Sequence, residues 1–358
     1  APQRWHAALK RMDFVVAQDI FMNPTIASCC DLFLPLATWL EHDGYITQLM
    51  GEHPGPVKGM VKVVEPLGEA KSEFQIIHDL AQRPAFRDNF YIDGESKVSS
   101  IENYITQDLT KVVGFGHDWE YLKEHVQVSR KTEYLKYERG MLRNDGQPGF
   151  NTTTGRIELF DSVFQLWGYD PLPDWDEPHS SPYSRPDLWE EYPFVLSTGA
   201  RHVEFFHSEH RQPEVMSREL YPDPHFELSA ASAEKLGLQD EQWCWLENQH
   251  GRCRQRLRIN PSLDDRVVRA DHGWWFPEKE AAEPTLYGVF DSNINNLVPQ
   301  CDNGVTGYGA PYKNQLCKVY ACTPENSEDM PSIRVSEGDG FSKPGATTEV
   351  DKDYSHRA

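Results

Sequence analysis

The sequence predicts an α/β segment, the end of a doubly wound parallel domain, followed by a mainly β domain that closes as a barrel. Three observations carry that expectation. Short apolar blocks at residues 13–17 and 31–35 flank a helix signal. Proline accumulates between Asp170 and Pro193 and separates two halves of different character. Beyond Tyr192 the chain changes to short strand patterns punctuated by glycine.

In the first half, Asp13-Phe14-Val15-Val16-Ala17 reads as a strand buried on both faces of a parallel sheet. Gln18 and Asp19 fall at its carboxyl end, where open α/β sheets bind ligands. Asn23 is placed as the N-cap of a brief helix, Pro24 to Ala27, with proline at the first helical position. Asp31-Leu32-Phe33-Leu34-Pro35 gives a second strand stopped by proline. Residues 84–146 are aromatic, charged and weakly periodic, with one or two helical turns at Glu120–Val126, and read as helical decoration over a substrate approach. Phe150 to Leu159 reads as a turn feeding a strand. Pro171, Pro173, Pro178, Pro182, Pro186 and Pro193 are dense enough to forbid helix or central strand, which makes this stretch a linker.

In the second half, Phe226-Glu227-Leu228 leads into a helix over 229–236, with Ser229 as N-cap and Gly237 as C-cap. Trp243–Glu247 and Arg252–Ile259 flank a glycine turn as a hairpin. Arg252, Arg254, Arg256 and Arg258 alternate with Cys253, Gln255, Leu257 and Ile259, so the four arginines share one face. A solvated strand face is the preferred reading of that row, over a phosphate site. Residues 325–358 hold few apolar groups and are expected to form a mobile acidic tail.

Composition bounds the function. A chain of 358 residues accommodates two or three domains. It opens at Ala1 with neither an initiator methionine nor a leader pattern, and the start reads as a cut. No apolar run approaches a membrane span and the mean hydropathy is −0.64, so membrane contact is expected only through a partner subunit. The net charge of −21 argues against nucleic acid as a ligand. Seven cysteines include no C-x-x-C, which supports neither an iron–sulfur cluster nor a structural zinc here, and the odd count suits buried free thiols.

The chemistry-bearing motif is Leu196-Ser197-Thr198-Gly199-Ala200-Arg201-His202, followed by Phe206-His207-Ser208. A Thr-Gly turn after an apolar strand presents bare backbone N–H groups, and the His-Ser pair adds donors, which is how a protein grips a large phosphorylated cofactor. An ordinary strand-ending turn is the alternative. Asp271-His272-Gly273-Trp274-Trp275-Phe276, Ser292-Asn293-Ile294-Asn295-Asn296-Leu297 and Gly309-Ala310-Pro311-Tyr312-Lys313 follow in order. His202, Glu204, His207 and His210 cluster along the chain without a metal-helix spacing, so no protein-bound zinc is expected among them.

These segments, with Gln18–Thr25, Cys30–Glu41, Asp43-Gly44 and Phe150–Leu159, resemble the molybdopterin guanine dinucleotide (MGD) oxidoreductases, the dimethyl sulfoxide reductase family. Cys30 stands where the family usually has alanine, and Arg156 where it has lysine. The resemblance covers roughly residues 10–45 and 148–322. It implies a Rossmann-like remnant at 1–83, a helical or irregular insert with a strand motif and linker at 84–193, a six-stranded double-psi β-barrel cap at 194–324, and the tail beyond. It implies bis-MGD with molybdenum or tungsten, contacted by Gln18, Asp19, Asp31, Ser197, Thr198, Gly199, His207, Ser208, Asn293, Asn295 and Lys313. The metal ligand and a [4Fe-4S] cluster would lie in amino-terminal domains. The activity implied is two-electron redox chemistry, or oxygen-atom transfer or removal, on a small substrate, as in anaerobic respiration, with an iron–sulfur electron-transfer subunit as partner. A non-redox hydratase or hydroxyl transferase of the same family and a degenerate electron-transfer subunit without pterin are the alternatives.

Overall fold

A computed structural model of the chain describes residues 2–47, 56–86, 88, 91–92, 96–112, 114, 116–129, 133–172, 174–200, 216–299 and 311–327. It divides into two compact units, one formed by Ala1–Ala17, Phe21–Phe33 and Asp174–Arg357, the other by Gln18–Ile20 and Leu34–Pro173.

Helix α1 (Pro2–Leu9) precedes a strand–helix–strand run of β1 (Val16–Asp19), α2 (Pro24–Cys29) and β2 (Leu32–Pro35). The Asn23 side chain accepts from the Ile26 N–H at 3.1 Å and Pro24 takes the first helical turn, as the sequence predicts. Leu32 N–H donates to Val15 and Leu36 N–H to Asp19, so the bonds advance together along both strands, the pattern of parallel pairing. The first strand departs from expectation. It starts at Val16 rather than Asp13, and Val16 is 47% exposed, because β1 and β2 form a sheet of two strands with nothing described against both faces.

The second unit carries β3 (Gly44–Thr47), β4 (Val57–Met60), α3 (Glu73–Ala81), β5 (Tyr91–Ile92), β6 (Ser96–Lys97), α4 (Ile101–Gln107), α5 (Trp119–His125), β7 (Gln127–Val128) and α6 (Ser162–Leu166). Each of α3, α4 and α5 starts at a side-chain cap, from Ser72, Ser100 and Asp118, which satisfies an N–H of the first turn. Val57, Ile105, Leu109, Trp119 and Leu122 form the core under the β3–β4–β7 sheet. Glu41 belongs to this unit and is spent on structure, accepting from the Thr38 and Leu67 N–H groups. The Phe150–Leu159 segment keeps its turn but forms no strand. Gly155 sits at φ +70° and its carbonyl accepts from Phe150 N–H, yet Ile157 and Leu159 are 71% and 85% exposed. No described strand lies alongside to form a ladder, and the Glu158 carboxylate folds back instead onto Thr154 and Ser162.

In the first unit, the predicted linker contains a helix, α7 (Pro186–Glu191). Pro186 stands at its first position, where the missing N–H is needed by nothing, so proline density did not forbid it. There follow β8 (Phe194–Ala200), α8 (Met216–Leu220), β9 (His225–Leu228), α9 (Ala230–Leu236), β10 (Trp243–Asn248), β11 (Gly251–Ile259), β12 (Val267–Asp271), α10 (Val289–Ser292) and β13 (Gln315–Ala321). Ser229 caps α9 and Gly237 closes it at φ +67°, as predicted. β10 and β11 form the predicted hairpin.

Six strands close into a barrel in the order β10-β11-β9-β12-β8-β13, with β8/β12 and β9/β11 parallel and the other pairs antiparallel. Strand alternation decides what fills it. Leu196, Phe226, Leu228, Leu246, Cys253, Leu257, Val268, Ala270, Cys317 and Val319 pack inside. The intervening Trp243 and Trp245 cover the outside with Trp274, Phe276 and Cys322.

The two central arginines of the β11 row correct the expectation of a solvated face. Arg254 and Arg256 are 3% and 5% exposed. Arg254 meets Asp291 at 2.7 Å and lies 5.3 Å over the Trp245 ring; Arg256 meets Asp223 at 3.3 Å and Glu241 at 3.2 Å. Loops carrying carboxylates cover these two, while Arg252 stays exposed over the Trp245 ring and Arg258 half-buried beside Tyr221, so the row is solvated only toward its ends. Of the tail, Glu325–Ser327 are described. Trp245 Nε1 donates to Asn326 and Ser327 and holds that turn against the barrel.

Candidate functional site

Chemistry-bearing groups gather where β8 ends. The Thr198 N–H donates to the Tyr312 carbonyl at 2.6 Å, which ties the end of β8 to the segment entering β13. Thr198 follows Leu196 by two positions and so faces the barrel interior, where it is 2% exposed. Its hydroxyl oxygen is buried and meets no hydrogen-bonding partner among the described residues. Gln315, opposite Leu196 in the ladder and 3% exposed, has an unpaired carboxamide oxygen, and so does the neighbouring Asn314. Leaving such groups dry and unpaired costs about 1–3 kcal/mol each. Thr198 and Gln315 share the interior face of neighbouring strands and describe a surface that expects a polar occupant.

Gly199 adds the approach. It sits at φ +81°, a conformation that favours glycine, and a Cβ there would meet nothing within 4 Å. Ser197, half-buried, points to the opposite face of β8 from Thr198, and Lys313 is exposed.

The Asn293–Asn295 turn is brought to the same rim by Gln255. Its amide donates to the Asp271 carbonyl and the Ser292 carbonyl, both at 3.2 Å. Asp271 pairs with Ala200, and Ser292 precedes Asn293. The Asn293 side chain accepts from Asn295 N–H at 2.9 Å and starts a short 3-10 turn, while Asn295 is half-buried. Asn296, fully buried, donates to Phe290 at 2.7 Å and leaves its own side-chain oxygen unpaired.

The remaining sequence candidates fall elsewhere. His207 and Ser208, with Arg201, His202, Glu204 and His210, lie outside the described residues. Gln18 is exposed and Asp19 accepts from Ile20 N–H at 2.7 Å, in the second unit. Asp31 accepts from Val15 N–H at 2.8 Å and joins the two strands. Trp274, Trp275 and Phe276 are 1%, 4% and 2% exposed, core residues rather than the wall of a pocket. Among the described residues no three His, Cys, Asp or Glu side chains group as a metal site, and no helix is long and apolar enough to cross a membrane.

Sequence reasoning missed Gln255, Asn314 and Gln315 as site residues. A signal was present for two of them. Gln255 stands between Cys253 and Leu257, and Gln315 two before Cys317, at positions where the two-residue period of a barrel strand demands an apolar side chain.

The arrangement sets amides and hydroxyls on fixed strands, chemistry suited to the edges of a heterocycle. A molybdopterin oxidoreductase family model matches residues 2–83, and a molybdopterin dinucleotide binding domain model matches residues 194–312. An acetylene hydratase of Syntrophotalea acetylenica is 35% identical over 278 residues, covering 77% of this chain and 35% of that protein. A dopamine dehydroxylase of Eggerthella lenta is 26% identical over 380 residues, covering 89% of this chain and 36% of that protein. The solved structure of an acetylene hydratase from Pelobacter acetylenicus superposes with a TM-score of 0.75 at 31% identity, over 89% of this chain and 42% of that one. The chain thus spans about a third of the length of the curated relatives it matches.

Proposed function

Because the chain belongs to the molybdopterin oxidoreductase family, we propose that it is the dinucleotide-holding part of a bis-MGD enzyme of molybdenum or tungsten that removes or transfers oxygen on a small substrate. The observation that carries this reading is the pair of buried, unpaired polar atoms on Thr198 and Gln315, on the interior face of neighbouring strands, with the open backbone of Gly199 next in the chain. Those residues fit the cofactor: a pterin or guanine edge offers the donors and acceptors they lack. The same atoms argue against a degenerate subunit without pterin, which would gain stability by replacing them with apolar groups.

When bound, the metallopterin supplies a two-electron centre able to take or give an oxygen ligand. This chain's part is to bury the dinucleotide, fix its orientation from the rim of a closed barrel and exclude water there. Electrons reach the enzyme through an iron–sulfur partner. Metal analysis and nucleotide release by acid test the reading. GMP with molybdenum or tungsten is expected, and active, pure protein that releases no guanine nucleotide contradicts it.

A second reading has its own support. The 35% identity to an acetylene hydratase and the 0.75 superposition favour water addition without net electron transfer. Turnover of a catechol that requires a reduced viologen supports oxygen removal, and hydration of an alkyne with no electron uptake supports the second reading.

A further inference from the structure

Four of the six described cysteines are buried, three inside the barrel and Cys322 under its outer aromatic cover. Burial pushes the Cys244 thiol up to about 12 and the Cys322 thiol up to about 11, and it raises Cys253 and Cys317 as well. The other two are neighbours in sequence and half-buried. Cys29 ends α2, and Cys30 caps it in extended conformation.

Both thiols belong to the carboxyl end of α2. Cys29 lines a cleft with Trp5, His6, Thr25 and Ser28, and its sulfur lies 3.1 Å from the Ser28 hydroxyl. The Cys30 thiol reaches the carbonyl of Thr25, a lining residue of the same cleft, at 4.0 Å. Lys10 lies within electrostatic reach of Cys29, while its ammonium and the His6 imidazole share the Glu283 carboxylate at 2.8 and 3.2 Å. The pair is therefore accessible, beside a cation, and held on a helix end.

Two adjacent thiols can close directly on each other or bridge a larger atom. Direct closure makes a small ring around the Cys29–Cys30 peptide. The N–H of that peptide already donates to the Ile26 carbonyl at 3.2 Å and finishes α2, so ring closure must give up the cap. A soft atom with longer bonds to sulfur spans the gap and leaves the cap intact.

We propose that Cys29 and Cys30 form a two-thiol site for thiophilic trivalent arsenic compounds. In the binding step two S–H bonds are replaced by two S–As bonds, and both protons leave with the oxide oxygen as water. No oxidation state changes.

The test uses phenylarsine oxide and intact-mass analysis of the folded chain. One adduct per chain is expected, stable to excess glutathione, released by 2,3-dimercaptopropanol, and mapped after digestion to the peptide containing Cys29 and Cys30. Cys29→Ser and Cys30→Ser should each abolish it, with Cys30→Ala as a second variant, and Cys244→Ser should leave it unchanged. The mapping works without any variant. An unmodified wild-type chain, an adduct on another peptide, or one that survives loss of either thiol or washes off with glutathione overturns the proposal.

Discussion

The guanidinium of Arg254 and the carboxylate of Asp291 meet at 2.7 Å on the outer face of β11, with the arginine 3% exposed and stacked on Trp245. Lys279 lies 3.6 Å from the same carboxylate and gives it a second cation. Arg254→Ala therefore removes packing and one partner of a mostly buried pair. The expected loss is about 2–4 kcal/mol in chemical denaturation, whereas Arg254→Met keeps the packing and costs less. A loss below about 0.5 kcal/mol for the alanine variant, the figure for a surface substitution, would restore the solvated-face reading.

Gln255 joins the ends of β12 and α10 through the Asp271 and Ser292 carbonyls. Gln255→Leu fills the barrel equally well but removes both amide hydrogen bonds. A cost of about 2 kcal/mol is expected. Hydrogen exchange should quicken at Asn293–Asn296 and not at the β10–β11 hairpin. Uniform quickening across the barrel would mean that Gln255 is packing alone.

Glu158 accepts from the Ser162 hydroxyl and from the Thr154 N–H and hydroxyl, which hold its carboxyl down to about 2. A folded value below the unfolded one means that the carboxylate stabilises the 150–162 turn above the ordinary glutamate range. That support is lost as pH falls from about 4.3 toward the folded value. Limited proteolysis in this turn should rise as the pH drops through that window. Glu158→Gln should be cleaved at a rate nearly independent of pH, and equal pH dependence in both proteins refutes the assignment.

The legible parts of the sequence were those in which one residue enforces one local geometry. Asn23 and Ser229 announced helix starts, Gly237 a helix end, and the Gln249–Gly251 turn a hairpin. Other features depended on neighbours that no local pattern contains. Ile157-Glu158-Leu159 has the composition of a strand but no described partner strand. The arginines of β11 alternate like a wet face, yet Asp291, Asp223 and Glu241 come from other turns to cover Arg254 and Arg256. In the candidate site, Thr198 and Gly199 were readable from their motif. Asn314 and Gln315 were not singled out; the polarity of Gln315 at an apolar register position was readable, but that its oxygen and that of Asn314 have no partner only a packed structure reveals.

The most direct measurement compares Thr198→Val with wild type in two states, the cofactor-free chain and the loaded protein. If the Thr198 hydroxyl is buried unpaired for the sake of the dinucleotide, the valine variant of the cofactor-free chain should be more stable in denaturation, by about 1 kcal/mol. The loaded protein should retain less guanine nucleotide per chain, by about tenfold at limiting cofactor. Lower stability without the cofactor, together with unchanged nucleotide content, would contradict the placement of the dinucleotide at the end of β8.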